Sequence, residues 1–145
     1  MKANRNKSKG TPTGASGGWG PDNPILIQAM NVAATRHREG KLAEAEQICH
    51  DVLKRDPKHP EAMVLLAMIA HQTGRHEEAL KTVRSVLKHR ARHAGAWFVA
   101  AGASLALGRV REAEQACRTL LKLAPDHPAG ARLTAALAEL KRSAG

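Results

Sequence analysis

The sequence predicts an all-α fold, a solenoid of three stacked helical hairpins closed by a capping helix. The first observation behind this prediction is a repeat, because Gly40, Gly74 and Gly108 are 34 residues apart. The second is composition: with one Phe, two Trp and no Tyr, the interior must be filled by Ala, Leu, Val, Ile and Met. A β-sandwich would require more aromatic and β-branched residues. Repetition at this period is typical of arrays of helical hairpins.

Equivalent residues recur around each glycine. A small residue lies seven positions before it, a Glu-Ala pair follows at four and five positions, and an aliphatic pair follows at twelve and thirteen positions. The members are Ala33, Ala67 and Ala101, then Glu44-Ala45, Glu78-Ala79 and Glu112-Ala113, then Val52-Leu53, Val86-Leu87 and Leu120-Leu121. Small residues let two helices approach closely, and glycine permits the tight turn that joins them.

The N-terminal residues 1–22 are predicted to form a disordered basic arm. A segment of Lys, Gly, Ser, Thr, Asn and Pro cannot bury enough apolar surface to fold. Trp19 is its one aromatic residue, and it either docks on the first hairpin or stays free. The ordered domain is predicted over residues 23–142, and it begins at Asn23-Pro24, a helix cap followed by a proline suited to the first turn.

Three hairpins of one repeat each follow, over about residues 24–57, 58–91 and 92–125. In each hairpin the first helix ends at the repeat glycine, which suits the left-handed conformation of a C-terminal cap. The second helix ends near a proline, which Ala91 replaces in the middle repeat.

Two further features follow from the same spacing. His59, His93 and His127 recur every 34 residues in the loops between hairpins and are expected to form a ladder on the surface. A capping helix over residues 128–142 is expected to seal the array. Its inward residues are predicted to be Leu133, Ala136, Leu137 and Leu140.

The charge and the apolar runs of the sequence indicate what kind of partner the protein has and where it is located. The net charge of +10 favours acidic partners in general, although most of the cations are scattered in the way of a solvated surface. No secretory signal is predicted, and the longest apolar run, Ala62 to Ala70, is too short to cross a bilayer. A cytoplasmic location is therefore expected.

Cys49 and Cys117 occupy equivalent interior positions two repeats apart and are expected to be buried, reduced thiols.

Taken together, these residues resemble the tetratricopeptide repeat, a 34-residue helix–turn–helix unit. The resemblance covers about residues 24–127 and the closing helix. It departs from the family pattern at two positions. The bulky aromatic residue early in the first helix is present only as Trp97, and the family's Tyr four residues before the glycine is replaced by Arg36, Ala70 and Ser104.

The resemblance implies a protein-interaction scaffold or adaptor, because the first helices of the family line a concave groove that binds an extended or helical peptide. The implied groove positions are mostly apolar here, which favours an apolar helix or extended segment as the ligand. They are Met30, Asn31, Ala34, His37, Arg38, Val64, Leu65, Met68, His71, Gln72, Phe98, Val99, Gly102 and Leu105. The alternatives are that the arm covers these residues or that copies of the chain associate through them.

One subtype of the family is excluded by the same positions. Domains that hold the acidic C-termini of heat-shock chaperones use Lys, Asn and Arg in the groove. The corresponding residues here are Met30, Ala34, Leu65, Gly95 and Val99, and none of these side chains can clamp a carboxylate.

The densest cluster of cations is a second candidate surface, the basic face, formed by Lys81, Arg84, Lys88, Arg90 and Arg92. Lys81, Arg84 and Lys88 share one side of a predicted helix, so contact with a phosphate or an acidic protein is a hypothesis. No aromatic residue is interleaved for base stacking, which makes nucleic acid the less favoured partner.

The sequence contains no recognisable catalytic constellation. It has no Gly-rich phosphate loop, paired carboxylates or nucleophile–base pair, and its histidines are not clustered with other metal ligands. The expectation is therefore a non-enzyme without cofactor or metal. The alternative is the N-terminal, substrate-recruiting region of a larger bacterial sulfotransferase or glycosyltransferase, because the pattern at Gly40–Glu46 and Gly108–Glu114 is similar to repeats that precede such domains.

Overall fold

A computed structural model describes residues 19–144, which contain seven α-helices and no β-strand. The predicted all-α class is therefore confirmed. The helices are α1 (Pro24–Arg38), α2 (Leu42–Arg55), α3 (Pro60–Gln72), α4 (His76–Leu87), α5 (Ala94–Ala106), α6 (Val110–Leu123) and α7 (Gly130–Ala144). None of them is long and apolar enough to cross a membrane. The predicted arm lies outside the described residues except for its last four.

The described residues form two compact units that divide between Leu65 and Leu66, so α3 begins in the first unit and ends in the second. In the first unit, α1 packs against α2. The buried side chains of this hairpin are Leu26 and Ala33 on α1, and Ala45, Cys49 and Val52 on α2. The two alanines have no exposed surface, as expected of small residues that let helices approach closely.

Trp19 lies at the C-terminal end of α2. The guanidinium carbon of Arg55 is 4.8 Å from the centroid of the indole ring, within the range of a cation–π contact. The ring is half-buried. Of the two alternatives for Trp19, docking on the first hairpin is the one observed.

In the second unit, α5 is the central helix. Both α4 and α6 pack against it, and α7 packs against α6 and α5. The largest fully buried side chains of this unit include Ile69, Val83, Val99 and Leu120.

The capping helix differs in one respect from the prediction. Leu133 is buried, and Leu137 and Leu140 are half-buried, whereas Ala136 is exposed. The prediction for Ala136 is wrong because the covered stripe of α7 runs through Gly130, Leu133, Leu137 and Leu140, at spacings of three and four residues, and Ala136 lies beside it.

The same turn follows the first helix of each hairpin. Gly40, Gly74 and Gly108 have φ of +79°, +87° and +73°. Each glycine N–H donates to the carbonyl three residues earlier, and the next N–H donates to the carbonyl five residues earlier, at 2.7 to 3.2 Å. These two hydrogen bonds define a Schellman motif, in which the left-handed position favours glycine.

The three repeat histidines accept hydrogen bonds at the starts of helices. Nδ1 of His59 and Nδ1 of His93 each accept from the backbone N–H three residues later, at 3.2 and 3.1 Å. Nδ1 of His127 accepts from the N–H two residues later, at 3.1 Å. Only 2% of His59 is exposed, so its predicted surface position is wrong. The first N–H groups of a helix have no carbonyl partner within it, and the imidazole supplies an acceptor.

Candidate functional site

The predicted groove residues of the first unit lie mainly on α1. Asn31 and Arg38 are exposed, and Met30, Ala34 and His37 are half-buried. All five therefore have accessible surface. They form a candidate surface confined to one helix.

Val64 and Val99 differ from the other predicted groove residues because they are buried, with 4% and 1% of their surface exposed. Leu65, next to Val64, is half-buried. A peptide on the surface cannot contact a buried side chain, so the two valines contribute to packing. The sequence does not separate them from their neighbours, because a helix that is apolar on most sides has no polar face to orient it.

In the second unit, residues of α3 and α5 meet at His71. The backbone of Gly102 lies under the imidazole so closely that a Cβ at this position would be 2.9 Å from Nε2 of His71. Any larger residue at position 102 would displace the ring. Met68, Phe98 and Leu105, from the same two helices, are half-buried.

His71 also contacts His76 across the turn between α3 and α4. The two Nδ1 atoms are 2.8 Å apart, so one of them donates a hydrogen bond and the other accepts it. Burial lowers the pKa of His71 below its ordinary value of 6.5, and the neighbouring His76 lowers the pKa further. Both causes disfavour the charged form. His71 is therefore a neutral polar group within an apolar surface at neutral pH.

The lowered pKa of His71 predicts a loss of stability in acid. Unfolded His71 takes up its proton near pH 6.5, whereas folded His71 does so at lower pH. The free energy of unfolding is therefore expected to fall as the pH drops through 6.5 towards the folded pKa, and to be unaffected by His71 above that range.

Two measurements test this effect. NMR titration gives the folded-state pKa of the His71 ring, and urea unfolding of the parent and His71→Gln chains on both sides of pH 6.5 gives the change in the free energy of unfolding. The variant should lose part of the acid sensitivity. A folded-state pKa for His71 at or above 6.5 would contradict the prediction.

Phe98 is held by a ring contact that sequence spacing did not indicate. Its ring stacks on His127, with centroids 5.1 Å apart and an angle of 29° between the planes. His127 precedes α7, and both His127 and Phe98 are half-buried. The contact joins residues 29 positions apart in the chain, a separation at which local periodicity carries no information.

The five side chains of the basic face are all exposed. Lys81 and Arg84 lie on α4, Lys88 caps its C-terminus, and Arg90 and Arg92 lie in the loop that leads to α5. Arg84 forms an ion pair with Glu112 of α6. This pair joins two different helices, so the sequence pattern of α4 does not show it.

Neither metal binding nor thiol reactivity is indicated by the residues that the structure describes. Among residues 19–144, no group of three or more His, Cys, Asp or Glu side chains could hold a metal ion. Cys49 and Cys117 are free and buried, as predicted. Burial raises the pKa of both thiols, and that of Cys49 reaches about 12 with a smaller contribution from the charge of Glu46. Both thiols are therefore protonated and unreactive at neutral pH.

Comparison with known sequences identifies one matching family. A sequence model described as "Tetratricopeptide repeat" matches residues 36–92 and 83–137, which together are more than half of the chain. No curated protein sequence matches the chain.

Several solved structures have a similar fold. The first tetratricopeptide domain of Spaghetti (RPAP3) bound to the HSP90 peptide SRMEEVD is 17% identical, with a TM-score of 0.71 over 81% of this chain and 91% of that chain. PcrH from Pseudomonas aeruginosa is 23% identical, with a TM-score of 0.67 over 81% and 92%. The second such domain of human RPAP3, in complex with the HSP70 peptide SGPTIEEVD, is 22% identical, with a TM-score of 0.68 over 84% and 98%. At these identities the likeness establishes the fold alone.

Proposed function

The chain belongs to the tetratricopeptide repeat family, and on this premise we propose that it is a non-catalytic module that binds a peptide segment of another protein. The binding residues we propose lie on α3 and α5 in the second unit. They form the α3–α5 surface, which consists of Met68, His71, Gln72, Phe98, Gly102 and Leu105.

The contact between His71 and Gly102 carries this proposal. It brings α3 against α5 through a glycine. Met68 lies about one turn from His71 on α3, Phe98 and Leu105 lie about one turn to either side of Gly102 on α5, and all three side chains are half-buried. Such a surface offers apolar contact area together with a neutral hydrogen-bonding group. Peptide sites of this kind bind apolar side chains for affinity and use a few polar groups for orientation.

The expected ligand is apolar. Two structurally similar domains hold HSP90 and HSP70 peptides, which supports peptide binding as a use of this fold. In this chain, the positions implied for a carboxylate clamp are Met30, Ala34, Leu65, Gly95 and Val99, and Val99 is buried. We therefore propose an apolar helix or extended segment instead of an acidic C-terminus.

Selection of peptides from a phage-displayed random library tests the proposal. Selected peptides should contain apolar residues at helical or alternating spacing, and their binding should perturb the backbone amide NMR signals of His71, Gly102 and Leu105. The double variant Met68→Glu, Leu105→Glu should weaken binding at least about tenfold, because it places two charges in an apolar contact. The matched control is Ala131→Glu, Ala138→Glu, which adds the same charge to exposed positions of α7.

Two results would overturn this assignment. One is a set of selected peptides that bind the parent and the double variant equally well while the control is also unchanged. The other is a set of NMR perturbations confined to α1 or α7. Circular dichroism of each variant shows whether the helices are retained.

A further inference from the structure

A cavity lies between α4, α5 and α6 and shares no residue with the α3–α5 surface. Its volume is about 390 Å³, within the range of pockets that hold small organic groups. Its walls are mostly apolar, with Leu80 and Leu87 from α4 and Trp97 from α5. The ion pair between Arg84 and Glu112 links the two helices that form its sides.

The cavity exists because small residues line it where the three helices meet. Ala100 and Ser104 of α5 and Ala116 of α6 are all buried, and none has a side chain large enough to fill the space. The buried hydroxyl of Ser104 has no hydrogen-bond partner among residues 19–144. A buried polar group in this state is uncommon in native proteins. The side chains of the chain itself therefore leave space unfilled beside these three small residues.

A strongly basic loop adjoins this cavity. Residues 88–93 include Lys88, which lines the cavity, and His89, Arg90 and Arg92, which line a neighbouring open cavity of about 500 Å³. Trp97 joins the two, because its Nε1–H donates a 2.7 Å hydrogen bond to the carbonyl of Ala91 in the loop.

The charged side chains that line the two cavities are mostly positive. They are Arg84, Lys88, Arg90 and Arg92, with Glu112 as the one carboxylate. The carboxylate of Glu112 is already paired with Arg84. Neighbouring cations such as Lys88, Arg90 and Arg92 attract an extended anionic segment more strongly than one small anion, because several charges act together.

We propose that the α4–α6 cavity and the basic loop together form a second binding site, which takes an acidic segment of a partner protein with one bulky apolar side chain seated in the cavity. The apolar walls recognise the side chain, and Lys88, Arg90 and Arg92 recognise the flanking carboxylates. This inference concerns a different surface from the proposed function and does not depend on it.

A labelled peptide and the protein's own tryptophans provide the test. The chain has two tryptophans, so Trp19→Phe leaves Trp97 in the cavity wall as the single fluorescent reporter. The probe is a short fluorescein-labelled peptide of Glu and Asp around a central Phe-Leu pair. Binding should be saturable, shift the Trp97 emission to shorter wavelength as water is excluded, and weaken steeply with added salt.

Two kinds of substitution separate the apolar contribution from the electrostatic one. Ala116→Leu fills the cavity and should weaken binding at least about tenfold, whereas Ala138→Leu, at an exposed position of α7, should not. Arg90→Glu, Arg92→Glu should weaken binding and flatten its salt dependence, whereas Arg118→Glu, Lys122→Glu should leave both nearly unchanged. If Ala116→Leu loses its helical circular dichroism signal, Ala100→Leu fills the same cavity from α5.

Competing ligands distinguish an acidic protein segment with an apolar side chain from a purely acidic peptide and from RNA. A peptide with Gly-Ser in place of the Phe-Leu pair should bind at least about tenfold more weakly, and equal affinity would overturn the proposal. Tighter binding of a single-stranded RNA oligonucleotide, insensitive to both cavity-filling variants, would assign the loop to nucleic acid instead. The double variant Met68→Glu, Leu105→Glu should leave the affinity for the probe peptide unchanged. This control distinguishes a failure of the present proposal from a failure of the proposed peptide site on the α3–α5 surface.

Discussion

Replacing Leu120 with alanine is expected to lower the free energy of unfolding by about 3 kcal/mol. Leu120 lies on α6 and has no exposed surface. Truncation removes apolar surface that folding had taken out of water, and it leaves a cavity that rigid neighbouring helices cannot fully close. Urea unfolding followed by circular dichroism measures the change.

Leu105→Ala is the matched control for this prediction. The substitution is chemically identical, but Leu105 is half-buried on α5, so its cost should stay near or below about 1 kcal/mol. If both variants lose the same free energy, burial does not determine the contribution of leucine in this unit. The control also establishes whether the α3–α5 surface can be altered without unfolding the chain, which the binding experiments require.

Replacing each repeat glycine with alanine is expected to cost about 1–2 kcal/mol per site. Gly40, Gly74 and Gly108 all have positive φ, and a Cβ built on any of them meets no atom within 4 Å. The cost therefore comes from the backbone conformation and not from a clash. Because the three turns have the same hydrogen bonds, we expect Gly40→Ala, Gly74→Ala and Gly108→Ala to be destabilising by similar amounts.

Gly20→Ala provides the comparison for this series. Gly20 also has open space around its Cβ position, but its φ is not positive. Alanine there restricts the unfolded chain without straining the folded one, so stability should be unchanged or slightly higher. Thermal unfolding of the four variants tests the series. A repeat-glycine variant as stable as Gly20→Ala would show that its turn tolerates a side chain.

The secondary structure was largely predictable because its signals are local. Asn23 caps α1 by accepting hydrogen bonds from the N–H groups of Ile25 and Leu26, at 2.8 and 3.4 Å. The helix caps at His59 and His93 were not predicted, since histidine is not among the residues preferred at this position. Their recurrence every 34 residues in the predicted loops between hairpins was the available signal.

The candidate sites were less predictable than the helices. The resemblance to the tetratricopeptide repeat assigned Phe98 and Val99 to the same groove, yet Phe98 is half-buried and Val99 is 1% exposed. The contact of His71 with Gly102, and the cavity walled by Trp97, involve residues of separate helices. Periodicity within one helix gives no information about such pairs.

By itself, the sequence determined the all-α class, the 34-residue period and the three glycine turns. The physical reason is that a left-handed residue and an apolar stripe are properties of a short stretch of backbone. Only the tertiary structure decided which apolar residues remain accessible, that the imidazole of His71 lies on Gly102, and that small residues leave a cavity beside the basic loop. Those features depend on which helices surround a side chain, and burial is a property of that surrounding packing.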